Sequence, residues 1–122
     1  MRYLYVIGAK DGPVKIGISR EPSSRLRVVQ VYHPYELSIL ALCPITTGLY
    51  RPWDQETHVH KAFAREHLRG EWFKRSLRIR RFIELIRERH PLREALEKCR
   101  YDWEIKALDR VPNYLSCDRD LP

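Results

Sequence analysis

The sequence predicts an α+β fold in which helices flank a three-stranded antiparallel sheet. Two short runs rich in β-branched and aromatic residues lie on either side of an Asp-Gly turn, which is typical of a β-hairpin. A third apolar run and four stretches with helical periodicity follow, in the order β-β-α-β-α-α-α. The chain of 122 residues has the length of one domain. Helices packed on one small sheet are the economical way to bury the apolar faces of these elements.

The N-terminal half contains all three predicted strands. Residues 2–8 and 14–18 are expected to form the hairpin, and residues 36–43 the third strand. Between the second and third strands, Pro22 suits the first turn of a helix. This helix runs to about Tyr32, where a His-Pro pair ends it.

The C-terminal half is predicted to be helical. Its segments are a loop over 44–52, helices over 53–68, 75–89 and 92–108, and a loosely ordered tail from Val111. Gly70 is expected to end the first of these helices. The segment Gly70–Phe73 is therefore interpreted as structural, with Trp72 and Phe73 in the core.

Charge and composition narrow the classes of protein. The chain has 23 Lys and Arg against 16 Asp and Glu, a net charge of +7, and a small basic domain favours polyanionic partners such as nucleic acid. No apolar run approaches the roughly 20 residues of a membrane span, and the N-terminus lacks a signal-peptide core. The three cysteines form no CxxC pair, so the sequence supports neither a disulfide framework nor a thiolate zinc site. We therefore expect a cytoplasmic protein without a membrane partner.

Charged residues on apolar helix stripes are the first candidate site residues. Arg25 has Val28, Val29 and Tyr32 three, four and seven positions later, which predicts that it lies along a buried stripe. Glu56 stands in the same relation to Val59, His60 and Phe63. A carboxylate on such a stripe is costly unless it is paired or binds a metal. Either Arg25 and Glu56 form a buried salt bridge, or both belong to a functional site.

The hairpin adds two further candidates. Strand alternation places Tyr5 on one face of the first strand, and Lys15 and Gly17 on one face of the second. Tyr5 and Lys15 can share a face if the register allows it. The alternative is a core tyrosine and a lysine on a solvated sheet face.

The order and spacing of these residues resemble the GIY-YIG nuclease superfamily. Tyr3-Leu4-Tyr5 and Lys15-Ile16-Gly17 stand where the two motifs lie, and Arg25 and the helical Glu56 follow. The runs Val14–Ser19, Glu56–His60 and Gly70–Phe73 resemble its short phage and bacterial branch. The resemblance implies a three-stranded sheet with helices, a catalytic core over 1–75, and a helical extension and tail over 76–122 packed on the same domain.

The resemblance also implies an activity, which is endonucleolytic hydrolysis of DNA phosphodiester bonds with one divalent metal ion, Mg²⁺ or Mn²⁺. By position, Tyr5 matches the general base and Arg25 the residue that orients the phosphate or the attacking water. Glu56 matches the metal-binding carboxylate and Gly17 the glycine of the second motif. Lys15 stands where many members have a tyrosine. Lys15 and Arg25 are expected to favour the phenolate of Tyr5, because nearby cations lower a phenol pKa.

Departures from the family pattern leave alternatives open. Tyr3 replaces the glycine of the first motif, Lys15 replaces the tyrosine of the second, and a late asparagine has no clear counterpart. The chain could therefore be a weakened nucleic-acid-binding relative, or a protein-interaction domain with a basic surface. The form of the DNA, whether duplex, branched or single-stranded, and the oligomeric state are not determined by the sequence.

Several further residues are candidates for contacts near the site. His60, one turn after Glu56, and His33 could hold a water or a phosphate, although His60 is equally well explained as a packed helix histidine. Lys74, Arg75 and Arg78 belong to a basic run without acids and could contact phosphates. A solvated helix face explains that run equally well.

Overall fold

The computed structural model describes residues 1–45 and 52–109, with side chains described for 1–45 and 55–100. Residues 46–51 of the predicted loop over 44–52, and the tail from Val111, lie outside the described residues. The elements in chain order are β1 (Arg2–Gly8), β2 (Val14–Ser19), α1 (Pro22–Val31), β3 (Ser38–Ile45), α2 (Pro52–Ala62), a 3₁₀ turn (Ala64–Glu66), β4 (His67–Arg69), β5 (Trp72–Phe73), α3 (Leu77–Arg87) and α4 (Leu92–Asp109). The α+β class is confirmed.

The strands form one antiparallel sheet in the order β3-β1-β2-β5-β4. The predicted hairpin is present, and its register pairs Tyr5 with Gly17 and Ile7 with Lys15. The third strand runs two residues further than expected, through Pro44 to Ile45. A proline is tolerated there because β3 is an edge strand of the sheet, where a missing N–H need not break the ladder.

The expected count of three strands is wrong, because the helix predicted over 53–68 ends at Ala62. The chain then makes a 3₁₀ turn and two short strands, joined at Gly70 with a positive φ of 58°. Glu66 explains the break: it is 7% exposed, and its carboxylate accepts hydrogen bonds from the Ser76 hydroxyl at 2.8 Å and from Arg78. A buried carboxylate must be paired with donors, and Glu66 reaches Ser76 and Arg78 because the chain leaves the helix axis after Ala62.

Two apolar clusters lie on opposite faces of the sheet. The larger one contains residues of β1, β2 and β3 together with Val59 of α2, Phe63 directly after that helix, and the apolar faces of α3 and α4. The smaller one contains Tyr5, Ile7 and Leu37, and α1 covers it. No helix in the described ranges is long and apolar enough to cross a membrane.

Helix α1 is rotated relative to the prediction. It packs on the sheet through Leu26 and Val29, whereas Val28 is 56% and Tyr32 87% exposed, and Arg25 is exposed as well. The spacing of Pro22, which is buried, with Leu26 and Val29 defines the inward stripe. The expectation that Arg25 lies along a buried stripe is therefore wrong.

Candidate active site

The β1–β2 hairpin places three predicted site residues on the sheet face that α1 covers. Tyr5 pairs with Gly17, and Lys15 lies two residue pairs along the ladder, opposite Ile7 and on the same face. A Cβ at Gly17 would lie 2.7 Å from Cζ of Tyr5 and 3.1 Å from Oε2 of Glu71. The absence of a side chain at Gly17 therefore makes the space in which the hydroxyl of Tyr5 approaches Glu71.

Glu71 is the site residue that the sequence interpretation missed, since the Gly70–Phe73 segment was considered structural. The β4–β5 turn carries it to β2, where its backbone carbonyl accepts a hydrogen bond from the N–H of Ile16 at 3.0 Å. Oε2 of Glu71 forms a salt bridge with Nζ of Lys15 and accepts a hydrogen bond from the hydroxyl of Tyr5 at 3.4 Å. The sequence offered one signal for Glu71, which is that it lies in the region where the late asparagine of the family pattern was expected.

Helix α2 contributes Glu56 and His60 to the free edge of β2 beyond the end of the short β5. Oε2 of Glu56 accepts a hydrogen bond from the N–H of Ile18 at 3.0 Å. Nε2 of His60 lies 2.8 Å from the carbonyl oxygen of Ile16 and must carry a proton there, because a carbonyl oxygen only accepts. The two side chains thus complete the backbone hydrogen bonding of β2 where, among the described residues, no strand lies beside it.

The contacts of His60 support its interpretation as a packed histidine. Besides its bond to the backbone of β2, its ring lies 5.0 Å from the ring of Phe73. It also helps Glu56 to ionise, because its positive charge when protonated lowers the pKa of that carboxyl. The structure gives His60 a positioning role for α2 and leaves a direct contact with substrate as a prediction.

Two carboxyl groups approach each other at this edge. Burial raises the pKa of Glu56, and the neighbouring carboxylate of Glu71 raises it further, while His60 and the Ile18 N–H act in the opposite direction. Because two neighbouring carboxylates repel each other, a proton on one of the two groups is favoured when no cation is present. Glu56 therefore lies in an environment that favours neutralisation of its charge.

The electrostatics of Tyr5 differ from the expectation. Burial raises the pKa of its phenol above the ordinary value, and the carboxylates of Glu71 and Glu56 raise it further. Arg25 lowers the pKa, as expected, but does not outweigh the other effects. The charge of Lys15 is paired with Glu71, so it is not available to stabilise a phenolate in this state.

Arg25 lies near the site without being bound in it. Within the described part of the chain, its side chain forms no hydrogen bond or ion pair, and it is exposed. In particular it is not paired with Glu56, so the buried salt bridge considered as an alternative is wrong. A guanidinium that is close enough to affect Tyr5 and is otherwise unengaged can bind an anionic ligand.

The other predicted contact residues are not all brought to the site. His33 stacks on Trp72, with ring centroids 5.5 Å apart, and so lies beside the strand pair that carries Lys15. Lys74 is exposed. Arg75 donates to the carbonyl oxygens of Ala9, Lys10 and Gly12 at distances from 2.6 to 3.2 Å, and so supports the β1–β2 turn.

Arg78 also has a structural role in place of the expected phosphate contact. Its guanidinium donates to Glu66 and to the carbonyl oxygen of Ala62, and it lies 5.2 Å from the centre of the Phe63 ring. Neither Arg75 nor Arg78 belongs to a solvated helix face, because both use their guanidinium groups to fix the backbone or a buried acid. The sequence shows only their charge, and their partners are distant in the chain.

The donor set agrees with a cation that keeps most of its water. Across residues 1–45 and 55–100, no group of three or more His, Cys, Asp or Glu side chains could hold a metal ion. Glu56 and Glu71 together offer two carboxylates, and a nearby cation would remove the repulsion that raises the pKa of Glu56. Carboxylate oxygens with several waters are the ligands that Mg²⁺ prefers.

Comparison with known proteins identifies one family model. The model described as the T5orf172 domain matches residues 2–104, which covers all the elements up to most of α4. This domain is found in phage and bacterial proteins, often with nuclease-like roles. No curated protein and no solved structure matches the chain.

Proposed function

The chain belongs to the T5orf172 domain family, and on that premise we propose that it is a metal-dependent endonuclease that hydrolyses phosphodiester bonds of DNA. The observation that carries the proposal is the convergence of Tyr5, Lys15, Glu56 and Glu71 around the side-chain-free position of Gly17. A hydroxyl, a cation and two carboxylates in one partly buried place are the groups that phosphodiester hydrolysis needs. The resemblance of the same residues to the GIY-YIG motifs supports this assignment.

Glu56 would hold the ion, Mg²⁺ or Mn²⁺, with Glu71 as the neighbouring acid. The N–H of Ile18 occupies only part of the accepting capacity of the Glu56 carboxylate, so further oxygen lone pairs are available to an ion. The ion would supply positive charge to the phosphate and to the leaving oxygen when it is bound.

Arg25 and Lys15 would recognise the phosphate. Arg25 is exposed and has no hydrogen bond or ion pair to a residue that the structure describes, and the planar fork of its guanidinium suits two phosphate oxygens. Lys15 is held by Glu71 when no substrate is present, and its ammonium would exchange this partner for a phosphate oxygen. Both residues would thus neutralise charge on the group that is attacked.

Tyr5 would act as the proton acceptor through Glu71. As the attacking water loses a proton to the phenol oxygen of Tyr5, the phenol proton would pass to Oε2 of Glu71, which already accepts it in a hydrogen bond. The hydroxide forms the new bond to phosphorus, the bond to the leaving oxygen breaks, and that oxygen takes its proton from solvent. This route avoids a free phenolate, which burial disfavours.

The test is cleavage of supercoiled plasmid with Mg²⁺ or Mn²⁺. We expect nicking by the natural protein, and a loss of at least about 100-fold for Glu56→Ala and Tyr5→Phe, which is the usual size of a general acid–base contribution. Matched controls are Tyr3→Phe on the same strand and Glu97→Ala on the exposed part of α4. Nicking that continues unchanged in both site variants would refute the assignment.

A second candidate is a nucleic-acid-binding module that does not cut. The raised pKa of Tyr5 and the pairing of Lys15 with Glu71 favour it, because neither group is in its reactive form in this state. This candidate predicts salt-sensitive binding that persists in Glu56→Ala, with no nicking in any metal. If the protein bound neither DNA nor RNA at low salt, an interaction with an acidic protein would be favoured instead.

A further inference from the structure

The end of α1 and the loop after it expose an unusual amount of apolar and aromatic surface. Val28 is 56% exposed, Val31 75%, Tyr32 87% and Tyr35 69%. In the described part of the chain these four are among the most exposed large apolar side chains, and they fall within eight consecutive residues. Exposed patches of this kind mark sites of interaction.

The backbone that carries these rings is held in one conformation by Gln30. Its amide nitrogen donates to the carbonyl oxygen of Tyr35 at 2.8 Å, and its amide oxygen accepts from the N–H of Leu37 at 2.7 Å. The N–H of Tyr35 in turn donates to Nδ1 of His33 at 3.2 Å, so a neutral His33 carries its proton on Nε2. The rings of Tyr32, His33 and Tyr35, which we name the aromatic platform, are thus presented by a preorganised loop.

The aromatic platform is continuous with the candidate active site. His33 stacks on Trp72 with an angle of 19° between the rings and meets the edge of Tyr35 on another side. Trp72 is the sheet partner of Lys15, whose ammonium lies in the site. A ligand that runs from the site over Trp72 and His33 therefore reaches the exposed tyrosines.

The charge around the aromatic platform selects the kind of ligand. Residues 22–35 contain Arg25 and Arg27 without an acid, Glu21 and Glu36 stand at the two ends of this segment, and the whole chain has a net charge of +7. A second copy of this chain would meet the patch with the same surface and so with like charges, if the two were related by a two-fold axis. A polyanion with flat apolar groups is complementary in both charge and chemistry.

We propose that the aromatic platform binds unpaired nucleobases of a single-stranded nucleic acid segment that continues from the candidate active site. The proposal rests on the proposed function for its direction and specifies the substrate class. Bases of a duplex present only their edges, because their faces are covered by neighbouring base pairs. Unpaired bases expose both faces, stack on aromatic side chains with little sequence preference, and leave the phosphates to the arginines.

The test is binding of end-labelled oligonucleotides, measured by fluorescence anisotropy in EDTA so that cleavage cannot interfere. A single strand, a duplex of the same length and a duplex with a single-stranded overhang are compared. We expect tighter binding of the single strand and the overhang, and a loss of about 5- to 100-fold for Tyr32→Ala and for Tyr35→Ala, which corresponds to one stacked base each. Tyr35→Phe retains the ring and should bind like the natural protein, as should Leu68→Ala, an exposed apolar residue of β4.

Salt dependence separates stacking from charge. The tyrosine variants should keep the slope of log affinity against log salt concentration, whereas Arg25→Ala should reduce it by about one phosphate contact. Equal affinity of the tyrosine variants and the natural protein would overturn the proposal. It would also be overturned if Tyr32→Ala converted a dimer to a monomer in sedimentation without changing oligonucleotide affinity.

The outcome for the platform is distinguishable from that for the proposed function. Ring-dependent binding of single strands without Glu56-dependent nicking would retain the platform and reject the nuclease. Glu56-dependent nicking with no contribution of Tyr32 or Tyr35 to affinity would retain the nuclease and reject the platform.

Discussion

Substitution of Gly17 by alanine tests the geometry of the site most directly. The added Cβ would lie 2.7 Å from Cζ of Tyr5 and 3.1 Å from Oε2 of Glu71. The tyrosine has little room to withdraw, because it is 1% exposed and packs with Ile7 and Leu37. The backbone at Gly17 does not have a positive φ, so the substitution acts through contact and not through backbone strain.

Two opposing contributions determine how much Gly17→Ala changes the free energy of unfolding. Inserting a methyl group into a packed site costs about 1–3 kcal/mol. Replacing glycine by alanine at a compatible backbone position returns about 0.4–1 kcal/mol, because the unfolded chain loses freedom. The net expectation is a free energy of unfolding lower by about 1–2 kcal/mol, or a Tm lower by about 3–10 °C for a domain of this size.

The assay is urea and thermal denaturation of Gly17→Ala, of Tyr5→Phe and of the double variant. Tyr5→Phe removes the hydroxyl oxygen, which is the atom nearest to the new methyl group. The double variant should therefore lose less stability than the sum of the two single variants. Gly12→Ala serves as a control, because an added Cβ there meets nothing within 4 Å and acts only through the positive φ of 91°.

The reasoning is refuted by one clear result. If Gly17→Ala is as stable as the natural protein or more stable, the methyl group meets no obstacle and the close approach of Tyr5 is wrong. Additive effects in the double variant would likewise show that Tyr5 is not the neighbour that resists the substitution.

Three further predictions concern the charges. In metal-free buffer Glu56→Gln should be more stable than the natural protein at pH 7.5 and should lose this advantage near pH 4. The reason is that the raised pKa of Glu56 gives the natural protein stability that is present below the unfolded value of about 4.3 and is lost as the pH rises. Urea midpoints at both pH values measure this, and an advantage that does not change with pH contradicts it. Because the pKa of Tyr5 is raised, its contribution to stability is present below about pH 10 and is lost above that pH. Rising pH should therefore destabilise Tyr5→Phe less than the natural protein, and an equal loss of stability in the two proteins would contradict this. Arg78→Ala leaves the buried carboxylate of Glu66 without its cation and should lower the free energy of unfolding by about 3–5 kcal/mol. Glu84→Ala, which removes an exposed pair on the same helix, should lower it by less than about 1 kcal/mol. Similar losses for the two variants in urea denaturation would argue against a structural role for Arg78.

Local sequence patterns predicted the hairpin and the positions of the helices. The β-branched and aromatic runs around the Asp-Gly turn are found as β1 and β2. Period-two alternation allowed Tyr5 and Lys15 to share a face, and the register of the hairpin places them on it. Helical periodicity located α1, α3 and α4 to within about two residues. These features depend on interactions between residues that are near one another in the chain.

The segment after α2 was not predictable in this way. Strands of three and two residues are too short to show alternation, and the buried carboxylate of Glu66 ends the helix through partners ten and twelve residues later. The rotation of α1 was also missed, since two stripes one residue apart are almost equally apolar and only the fit to the sheet distinguishes them.

The sequence by itself therefore determined the hairpin, the third strand, the presence of four helices, the basic charge and four residue types whose order resembles a nuclease site. Tertiary structure alone decided which acids meet. Glu71 reaches Lys15 and Tyr5 across 56 and 66 positions of the chain, and Glu56 reaches Ile18 across 38. Contacts over such separations are set by how strands pair and helices pack, and no local pattern encodes them.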